Sequence, residues 1–306
     1  DERSAARLIS LIEEGSSEGF EAIRLIYPHV GSAQKIGITG SPGAGKSTLT
    51  GKLAAILMDE GRHIGVIAVD PSSPEGGGAL LGDRVRMGEA DKTGRVFIRS
   101  MAHRGYPGGI AKAAIGATYI LEGLGKDTII VESIGAGQAE IQISVLCDTI
   151  VTVVTSGYGD EIQLMKTGLI EIGDIIAVNK ADKPGAQEVV QDISIHFSNT
   201  EKTGWKIPVV AVSSLTGAGF ETLKNNISRQ FDFLKHADNY IDQKREQLKT
   251  LMLSLLKEEI WDRTMNMLNG SEEFKLILDG LKEKRIDPYE AVRRTSEIAF
   301  KHKILV

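Results

Sequence analysis

The stretch of sequence that decides the fold is Gly40-Ser41-Pro42-Gly43-Ala44-Gly45-Lys46-Ser47. It matches the pattern G-x-x-x-x-G-K-S and lies between a short apolar run at 35–39 and a helical pattern at 47–57. In this arrangement the glycines allow backbone N–H groups to surround a phosphate, the lysine reaches the terminal phosphates, and the serine hydroxyl binds Mg²⁺. The start of the helix adds a partial positive charge beneath the anion. The sequence therefore predicts a nucleoside triphosphate site, and the residues expected to bind it are Gly43, Ala44, Gly45, Lys46, Ser47 and Thr48.

Strand and helix patterns alternate through residues 35–235. Short apolar runs predict strands at 35–39, 63–70, 95–99, 128–132, 149–155, 175–179 and 209–213. Helical periodicity predicts helices near 45–60, 108–124, 160–172, 185–198 and 219–235. Because the strands are almost continuously apolar, the sheet should be parallel and covered on both faces. The expected fold class is α/β, a P-loop NTPase with a doubly wound, mostly parallel sheet and helical extensions at both ends.

The extensions are helical as well. Residues 4–27 predict a pair of helices, and a long charged helix after residue 235 precedes helices at 272–282 and 287–301. We therefore expect an N-terminal helical segment at 1–31, a P-loop domain at 32–236 and a C-terminal helical arm at 237–306. The long helix carries an apolar stripe, which packs either in an internal core or against a second copy of the chain. Its members are Leu248, Leu251, Met252, Leu255, Leu256, Ile260 and Trp261.

Composition and charge limit the classes of protein to which the chain can belong. Of its 306 residues, 42% are hydrophobic and 25% charged, and the net charge is −5, which argues against a nucleic-acid binder. No apolar run approaches the roughly 20 residues of a membrane span, so we expect no membrane partner. Cys147 lies alone in an apolar stretch, which predicts a buried, inert thiol and a reducing compartment, the cytoplasm or an organelle matrix, of which we expect the cytoplasm. Whether a leader has been trimmed ahead of Asp1 stays open.

Asn179-Lys180-Ala181-Asp182 forms a second motif, at the end of the predicted strand 175–179. A carboxylate placed like that of Asp182 accepts hydrogen bonds from the ring N1–H and the exocyclic amine of guanine, a donor pair that adenine lacks. Asn179 can hold the loop, and the stem of Lys180 can cover the base. The motif therefore favours guanine, with GTP and GDP as substrate and product. A loop that closes over the base is expected at the end of the last strand, at Ser213, Ser214 and Leu215.

A third group of residues is expected around the metal. Glu132 ends the predicted strand 128–132, and a carboxylate there orients magnesium-bound water. With Ser47, Asp70 and Asp83 it forms the predicted Mg²⁺ shell. Asp83 has an alternative role as a helix N-cap, and Asp70 has one in a loop turn. The candidate catalytic residues are Lys46, Asp83, Glu132 and Gln138.

The residue that orients the attacking water stays open. Ala136 follows Gly135 at the position where Ras-type enzymes carry a glutamine, and Gln138 lies two residues further on. We therefore expect slow intrinsic hydrolysis that depends on a partner to order the site. Four nearby cations can meet phosphates or form surface ion pairs, namely Arg84, Arg86, Arg99 and Arg104.

Together these motifs resemble those of the MeaB/ArgK-type family, GTPases associated with methylmalonyl-CoA mutase. The resemblance covers about 31–235 by motif and the flanks by pattern. Besides the phosphate and base motifs, it rests on several segments in a specific order. These are Asp70-Pro71-Ser72-Ser73-Pro74, Leu81-Gly82-Asp83-Arg84, Arg99-Ser100-Met101, residues 132–138, and Gly159-Asp160 through Lys166.

The resemblance implies a GTP-hydrolysing metallochaperone. Such a protein gates the delivery of adenosylcobalamin to a coenzyme-dependent acyl-CoA mutase and protects that mutase from inactivation. The resemblance also implies a homodimer formed through the C-terminal helices. Carried over residue by residue, it places Asp70, Asp83 and Glu132 in the metal and switch shell. It makes Asp160 and Lys166 the charges that couple the nucleotide state to the mutase.

The sequence departs from the family pattern at three places. Glu75-Gly76 replaces a more usual Phe-Thr, and Ala136 stands where Val is common. Residues 102–107 read Ala-His-Arg-Gly-Tyr-Pro in place of Ala-Thr-Arg-Gly-His-Leu. None of these changes removes a phosphate or metal ligand. They leave open which mutase is served, one acting on methylmalonyl-, isobutyryl-, hydroxyisobutyryl- or ethylmalonyl-CoA.

Three other classes of nucleotide-dependent protein are alternatives. A nickel-insertion-type maturation GTPase needs surface Cys and His ligands, whereas this chain has one Cys in an apolar stretch and six scattered His. A signal-recognition or translation GTPase needs an RNA-binding or methionine-rich module, which the acidic charge does not favour. An amino-acid transport ATPase would bind ATP, whereas the motif at 179–182 favours GTP.

Overall fold

The computed structural model describes residues 1–71, 95–103, 112–133, 143–155, 170–198, 200–202 and 204–301. Seven strands in this part of the chain form one sheet: β1 (Gln34–Gly40), β2 (Ile64–Pro71), β3 (Val96–His103), β4 (Thr128–Glu132), β5 (Thr149–Thr155), β6 (Ile175–Asn179) and β9 (Val209–Ala211). A separate antiparallel hairpin consists of β7 (Glu201–Lys202) and β8 (Trp205–Lys206).

The helices of the described residues flank the sheet and extend the chain at both ends. They are α1 (Glu2–Glu13), α2 (Ser17–Ile26), α3 (Lys46–Asp59), α4 (Lys112–Gly123), α5 (Ala186–Phe197), α6 (Phe220–His236), α7 (Tyr240–Leu268), α8 (Glu272–Lys282) and α9 (Pro288–Lys301). A short 3₁₀ turn, Tyr27–His29, follows α2.

The sheet is parallel throughout, with the strand order β3-β2-β4-β1-β5-β6-β9. The central strand β1 pairs with β4 and β5, so that Ile38 lies opposite Glu132 and Gly40 lies opposite Val153. The seven predicted strands and the doubly wound α/β fold class are confirmed. The strand predicted at 209–213 ends earlier, because the Ser213 N–H donates to the Ala218 carbonyl and the chain turns there.

Two local features differ from the sequence-based expectation. The β7–β8 hairpin was not predicted, because strands of two residues are too short to show a period. Of the helix predicted at 160–172, residues 170–172 form a turn, and the rest lies outside the described residues.

The core beneath the phosphate loop is built on one face of the sheet. Apolar side chains of the central strands, among them Ile38 and Ile130, pack there against Leu49 and Leu53 of α3 and Phe220 of α6. Each of these five side chains is at most 1% exposed. The strand ends that carry the predicted site residues therefore rest on a close-packed layer. A shift of one side chain in this layer would be passed on to those strand ends.

The helix pair α1–α2 packs on α4. A Cβ at Gly116 of α4 would lie 2.9 Å from Ile12 Cδ1, and one at Gly123 would lie 2.9 Å from Ile26 Cγ2. Glu122 of α4 also accepts hydrogen bonds from the backbone N–H groups of Gly31, Ser32 and Ala33. The segment that enters β1 is therefore fixed to α4.

The chain divides into two compact units, Asp1–Gln247 and Leu248–Val306. The beginning of α7 belongs to the first unit. There, Lys244 Nζ pairs with Asp148 Oδ1 over 2.9 Å, and Gln247 Nε2 donates to the Cys147 carbonyl over 2.9 Å. The division expected at residues 31 and 236 stays a prediction.

The second unit has its own small core. Leu268, Ile277, Ala291 and Ile298 form a buried cluster between α7, α8 and α9. Five members of the predicted apolar stripe are between 40% and 58% exposed, namely Leu248, Met252, Leu256, Ile260 and Trp261. Among the described residues, nothing thus covers most of this stripe.

Two expectations from composition can be compared with the structure. Cys147 is buried as predicted, and burial raises the pKa of its thiol, which keeps it protonated and unreactive. Within the described ranges, no helix combines the length and apolar character that crossing a bilayer requires.

Candidate nucleotide-binding site

The phosphate loop connects β1 to α3 and depends on glycine at two positions. Gly40 has φ of +135°, and a Cβ there would lie 2.0 Å from the Val153 carbonyl oxygen. Gly45 has φ of +88°, and a Cβ there would lie 2.5 Å from Asn179 Nδ2. A side chain at either position would therefore displace β5 or the base loop, because glycine alone tolerates both this backbone and this proximity.

Lys46 lies against the inner side of this loop. Its Nζ donates to the carbonyl oxygens of Gly40 over 2.7 Å and Ser41 over 2.8 Å, and the residue is only 7% exposed. A buried ammonium group held by backbone acceptors keeps its charge within reach of the loop. This placement agrees with its predicted role at the terminal phosphates.

Ser47 and Glu132 bring two oxygen ligands together beside the loop. Ser47 Oγ, in the first turn of α3, donates to Glu132 Oε1 at the end of β4 over 2.5 Å. Glu132 is 3% exposed and Ser47 is half-buried. A hydroxyl and a carboxylate are hard ligands that fit Mg²⁺, which usually completes its shell with water and substrate phosphates. The pair therefore fits the predicted metal.

The other predicted metal and catalytic residues are described less fully. Asp70 lies in β2, where its backbone pairs with Ala102 of β3, and its side chain lies outside what the structure describes. Asp83 and Gln138 lie outside the described residues, as do Asp160 and Lys166. Among the side chains that are described, no group of three or more His, Cys, Asp or Glu could hold a metal ion.

Asn179 joins the base loop to the phosphate loop. Its Nδ2 donates to the Ala44 carbonyl over 2.8 Å. Its Oδ1 accepts from the backbone N–H of Ser214 over 3.2 Å and from Ser214 Oγ over 2.9 Å. Asn179 is 2% exposed, so its side-chain amide is a buried connection between three segments.

Lys180 and Asp182 lie on the outer side of the same loop. Lys180 has φ of +60°, and its Nζ donates to the Gly43 carbonyl over 2.8 Å. Asp182 is exposed and accepts a hydrogen bond from Ser213 Oγ, and this bond lowers the pKa of the carboxyl. Asp182 is therefore ionised at neutral pH and available as an acceptor pair.

The structure brings most of the predicted nucleotide-binding residues to one edge of the sheet. Leu215 is 83% exposed and Thr48 is exposed, whereas Ala44 is fully buried. Thr39 and Ser133 form a buried hydroxyl pair that was not predicted, because the segment at 132–138 gives no sign that Ser133 contacts Thr39. Of the four candidate cations, Arg99 pairs with Glu13 of α1 and donates to Ser10 Oγ over 3.0 Å. The remaining three, Arg84, Arg86 and Arg104, lie outside the described residues.

Comparison with known proteins shows the family to which the chain belongs. The sequence model of one family, described as methylmalonyl Co-A mutase-associated GTPase MeaB, matches residues 5–269. The chain belongs to the MeaB family. A relative from Pyrococcus horikoshii named as a GTPase is 41% identical over 299 residues, which cover 95% of this chain and 92% of the relative. The Escherichia coli GTPase ArgK is 31% identical over 281 residues, covering 89% and 84%.

Solved structures agree with the MeaB family fold. The crystal structure of an LAO/AO transport system kinase superposes with a TM-score of 0.71, covering 97% of this chain and 93% of that one. Sequence identity is 22%, so the likeness shows the fold alone. The chain is thus a MeaB-type GTPase with a P-loop fold, as the sequence motifs predicted.

Proposed function

We propose that this GTPase binds GTP with Mg²⁺, hydrolyses it slowly, and gates the delivery of adenosylcobalamin to an acyl-CoA mutase that it also protects. The observation that carries the nucleotide part is the connection of the two loops through Asn179. Its bonds to Ala44 and Ser214 hold the base-reading half and the phosphate-binding half of the site at a fixed separation. A preformed site of this kind suits a guanine nucleotide bound at both ends.

Guanine selection is assigned to Asp182. Its exposed carboxylate is ionised and is oriented by the hydrogen bond from Ser213. Two acceptor oxygens match the N1–H and exocyclic amine of guanine, whereas adenine presents an unprotonated N1. ATP would therefore leave the carboxylate without partners at this edge.

Magnesium is assigned to Ser47 and Glu132, together with Asp70 and Asp83. When bound, the ion would offset charge on the β- and γ-phosphate oxygens. Lys46 would bind the terminal phosphates from the inner side of the loop, and the Glu132 carboxylate would help to hold the ion beside Ser47. Gln138 is the candidate for orienting the attacking water.

The partner assignment rests on the family. The description of the MeaB family names methylmalonyl-CoA mutase as the associated protein. We assign the segment at 156–166 to coupling with this mutase and the exposed stripe of α7 to a homodimer. We assign the protein to the cytoplasm.

Steady-state GTP hydrolysis tests this proposal. Turnover is measured for the protein alone and with purified adenosylcobalamin-dependent mutases of each acyl-CoA class, using ATP as the control nucleotide. We expect slow turnover of GTP alone and clear acceleration by one mutase class. Rapid turnover alone, equal use of ATP, or no response to any mutase would contradict the proposal.

A further inference from the structure

The end of β4 contacts both ends of the phosphate loop. Ahead of the loop, the Ser133 N–H donates to the Ile38 carbonyl over 2.9 Å, and Ser133 Oγ donates to Thr39 Oγ1 over 3.0 Å. Behind the loop, Glu132 accepts the hydrogen bond from Ser47 Oγ. Glu132, at the end of β4, and Ser133, which follows it, therefore hold the two ends of the phosphate loop in place.

These two residues act on opposite faces of the sheet. Ile38 and Ile130 pack in the cluster beneath α3, and side chains alternate between faces along a strand. Glu132, two residues after Ile130, consequently shares the α3 face with Ser47. Thr39 and Ser133 meet on the other face, where they are 0% and 1% exposed.

The hydrogen bond between Ser133 Oγ and Thr39 Oγ1 is buried, so its two side chains are held more rigidly than those of a hydrogen bond at the surface. Thr39 is β-branched and lies in the central strand, which restricts its side-chain rotation. Both hydroxyls are excluded from water, so losing one leaves the other with an unsatisfied polar group. The relative position of Thr39 and Ser133 is thus set on one face, and the Glu132 carboxylate follows directly in the chain on the other.

We propose that Thr39 and Ser133 are positioning residues for the magnesium ligand Glu132. Their hydroxyl pair fixes the end of β4 against β1, so that the Glu132 carboxylate stays beside Ser47, where the ion is to bind. The inference rests on the proposed function, because that function assigns Mg²⁺ to Ser47 and Glu132. Both residues act through Glu132 and are not themselves metal ligands.

The test measures how Mg²⁺ supports nucleotide binding, without using hydrolysis. A fluorescent GTP analogue is titrated with Mg²⁺ and, separately, in excess EDTA, for the full chain and three variants. Thr39→Val removes the acceptor hydroxyl and keeps the shape, while Thr39→Ser keeps the hydroxyl and serves as the matched control. Ser133→Ala removes the donor. Thermal unfolding of each variant establishes the folded fraction.

We expect Thr39→Val and Ser133→Ala to raise the Mg²⁺ concentration for half-maximal binding about tenfold, the lower end of the usual effect of removing a group that orients a metal ligand. Thr39→Ser should remain close to the unchanged protein, and binding in EDTA should be equal in all four. An unaltered Mg²⁺ requirement in folded Thr39→Val overturns the inference, as does an equal loss of binding in EDTA. If the unchanged protein binds the analogue without any Mg²⁺ dependence, the proposed metal assignment fails, and the inference fails with it.

Discussion

Asn179 Nδ2 donates to the carbonyl oxygen of Ala44 over 2.8 Å and so connects two loops that are 135 residues apart in sequence. The contact is close enough to exclude any side chain at Gly45, whose Cβ would lie 2.5 Å from the same nitrogen. The base loop and the phosphate loop consequently cannot move apart independently. A substitution in the base loop should therefore alter how tightly the phosphates bind, and a substitution in the phosphate loop should alter how tightly the base binds.

Replacing Asp182 with asparagine should change which nucleotide is bound. The variant exchanges an acceptor for a donor, so it should lose about 10⁴-fold in GTP affinity and gain affinity for xanthosine triphosphate. Equilibrium binding of both nucleotides measures the change. Asp192→Asn, which alters an exposed carboxylate on α5, serves as control. Full GTP affinity in Asp182→Asn would show that another residue reads the base.

Lys46→Ala should remove tight triphosphate binding. The buried ammonium lies at the carbonyls of Gly40 and Ser41, inside the loop, and alanine supplies no charge for the terminal phosphates. Calorimetric titration with GTP, accompanied by circular dichroism to verify folding, tests this. Lys206→Ala, at an exposed lysine of the hairpin, is the matched control. A folded Lys46→Ala protein with unchanged affinity would exclude the phosphate assignment.

Glu122→Gln should lower stability and alter its dependence on pH. Burial raises the pKa of Glu122, but hydrogen bonds from the backbone of Ala33 and Gly31 and the charge of Lys35 outweigh it, so the pKa lies below its ordinary value. The carboxylate therefore stabilises the fold above its ordinary pKa, and this contribution is lost as the pH falls through the lowered value. Breaking the buried pair with Lys35 should cost about 3–5 kcal/mol at pH 7.

Urea unfolding between pH 3 and pH 7 measures this effect. The variant should show a flatter acid limb than the unchanged protein. Glu21→Gln removes an ion pair with Arg24 that is more than half exposed at both side chains, and it should change stability little. Equal losses in Glu122→Gln and Glu21→Gln would contradict the role given to burial.

Truncation should separate nucleotide binding from self-association. A chain that ends at residue 247 keeps Lys244 and Gln247 on the first unit, so it should bind GTP, and we expect it to be monomeric in light scattering. A chain that ends at residue 236 loses both contacts and should melt lower, by about 2–4 °C for each kcal/mol lost. A dimer that persists after truncation at residue 247 would place the interface elsewhere.

Asp160→Ala and Lys166→Ala should weaken stimulation by the mutase far more than GTP binding. Both charges lie in the segment that resembles the coupling element of the family. By linkage, a mutase that prefers one nucleotide state must change nucleotide affinity by the same factor. Hydrolysis with and without the mutase, compared with GTP affinity, checks this. Stimulation that survives both substitutions would exclude this segment.

The sheet could be predicted because its strands are short apolar runs separated by segments with helical periodicity. This alternation also indicated that the strands pair in parallel. The sequence predicted the phosphate and base motifs because each fixes a backbone shape or a hydrogen-bonding pattern within a few residues. It could not predict the pair of Thr39 and Ser133, or that Arg99 pairs with Glu13. Those contacts join single polar residues about 90 positions apart, and they exist only once the sheet register is set.

The central position of β1 also bears on synthesis of the protein. Its strand neighbours are β4 and β5, and Gly40 pairs with Val153, which emerges from the ribosome more than a hundred residues later. At bacterial or eukaryotic elongation rates this delay is on the order of ten seconds. Until then the loop that follows β1 lacks at least one of the two strands that flank β1 in the finished sheet. The nucleotide site proposed here can therefore form only after β5 has been synthesised, and a nucleotide bound to it would stabilise the completed sheet.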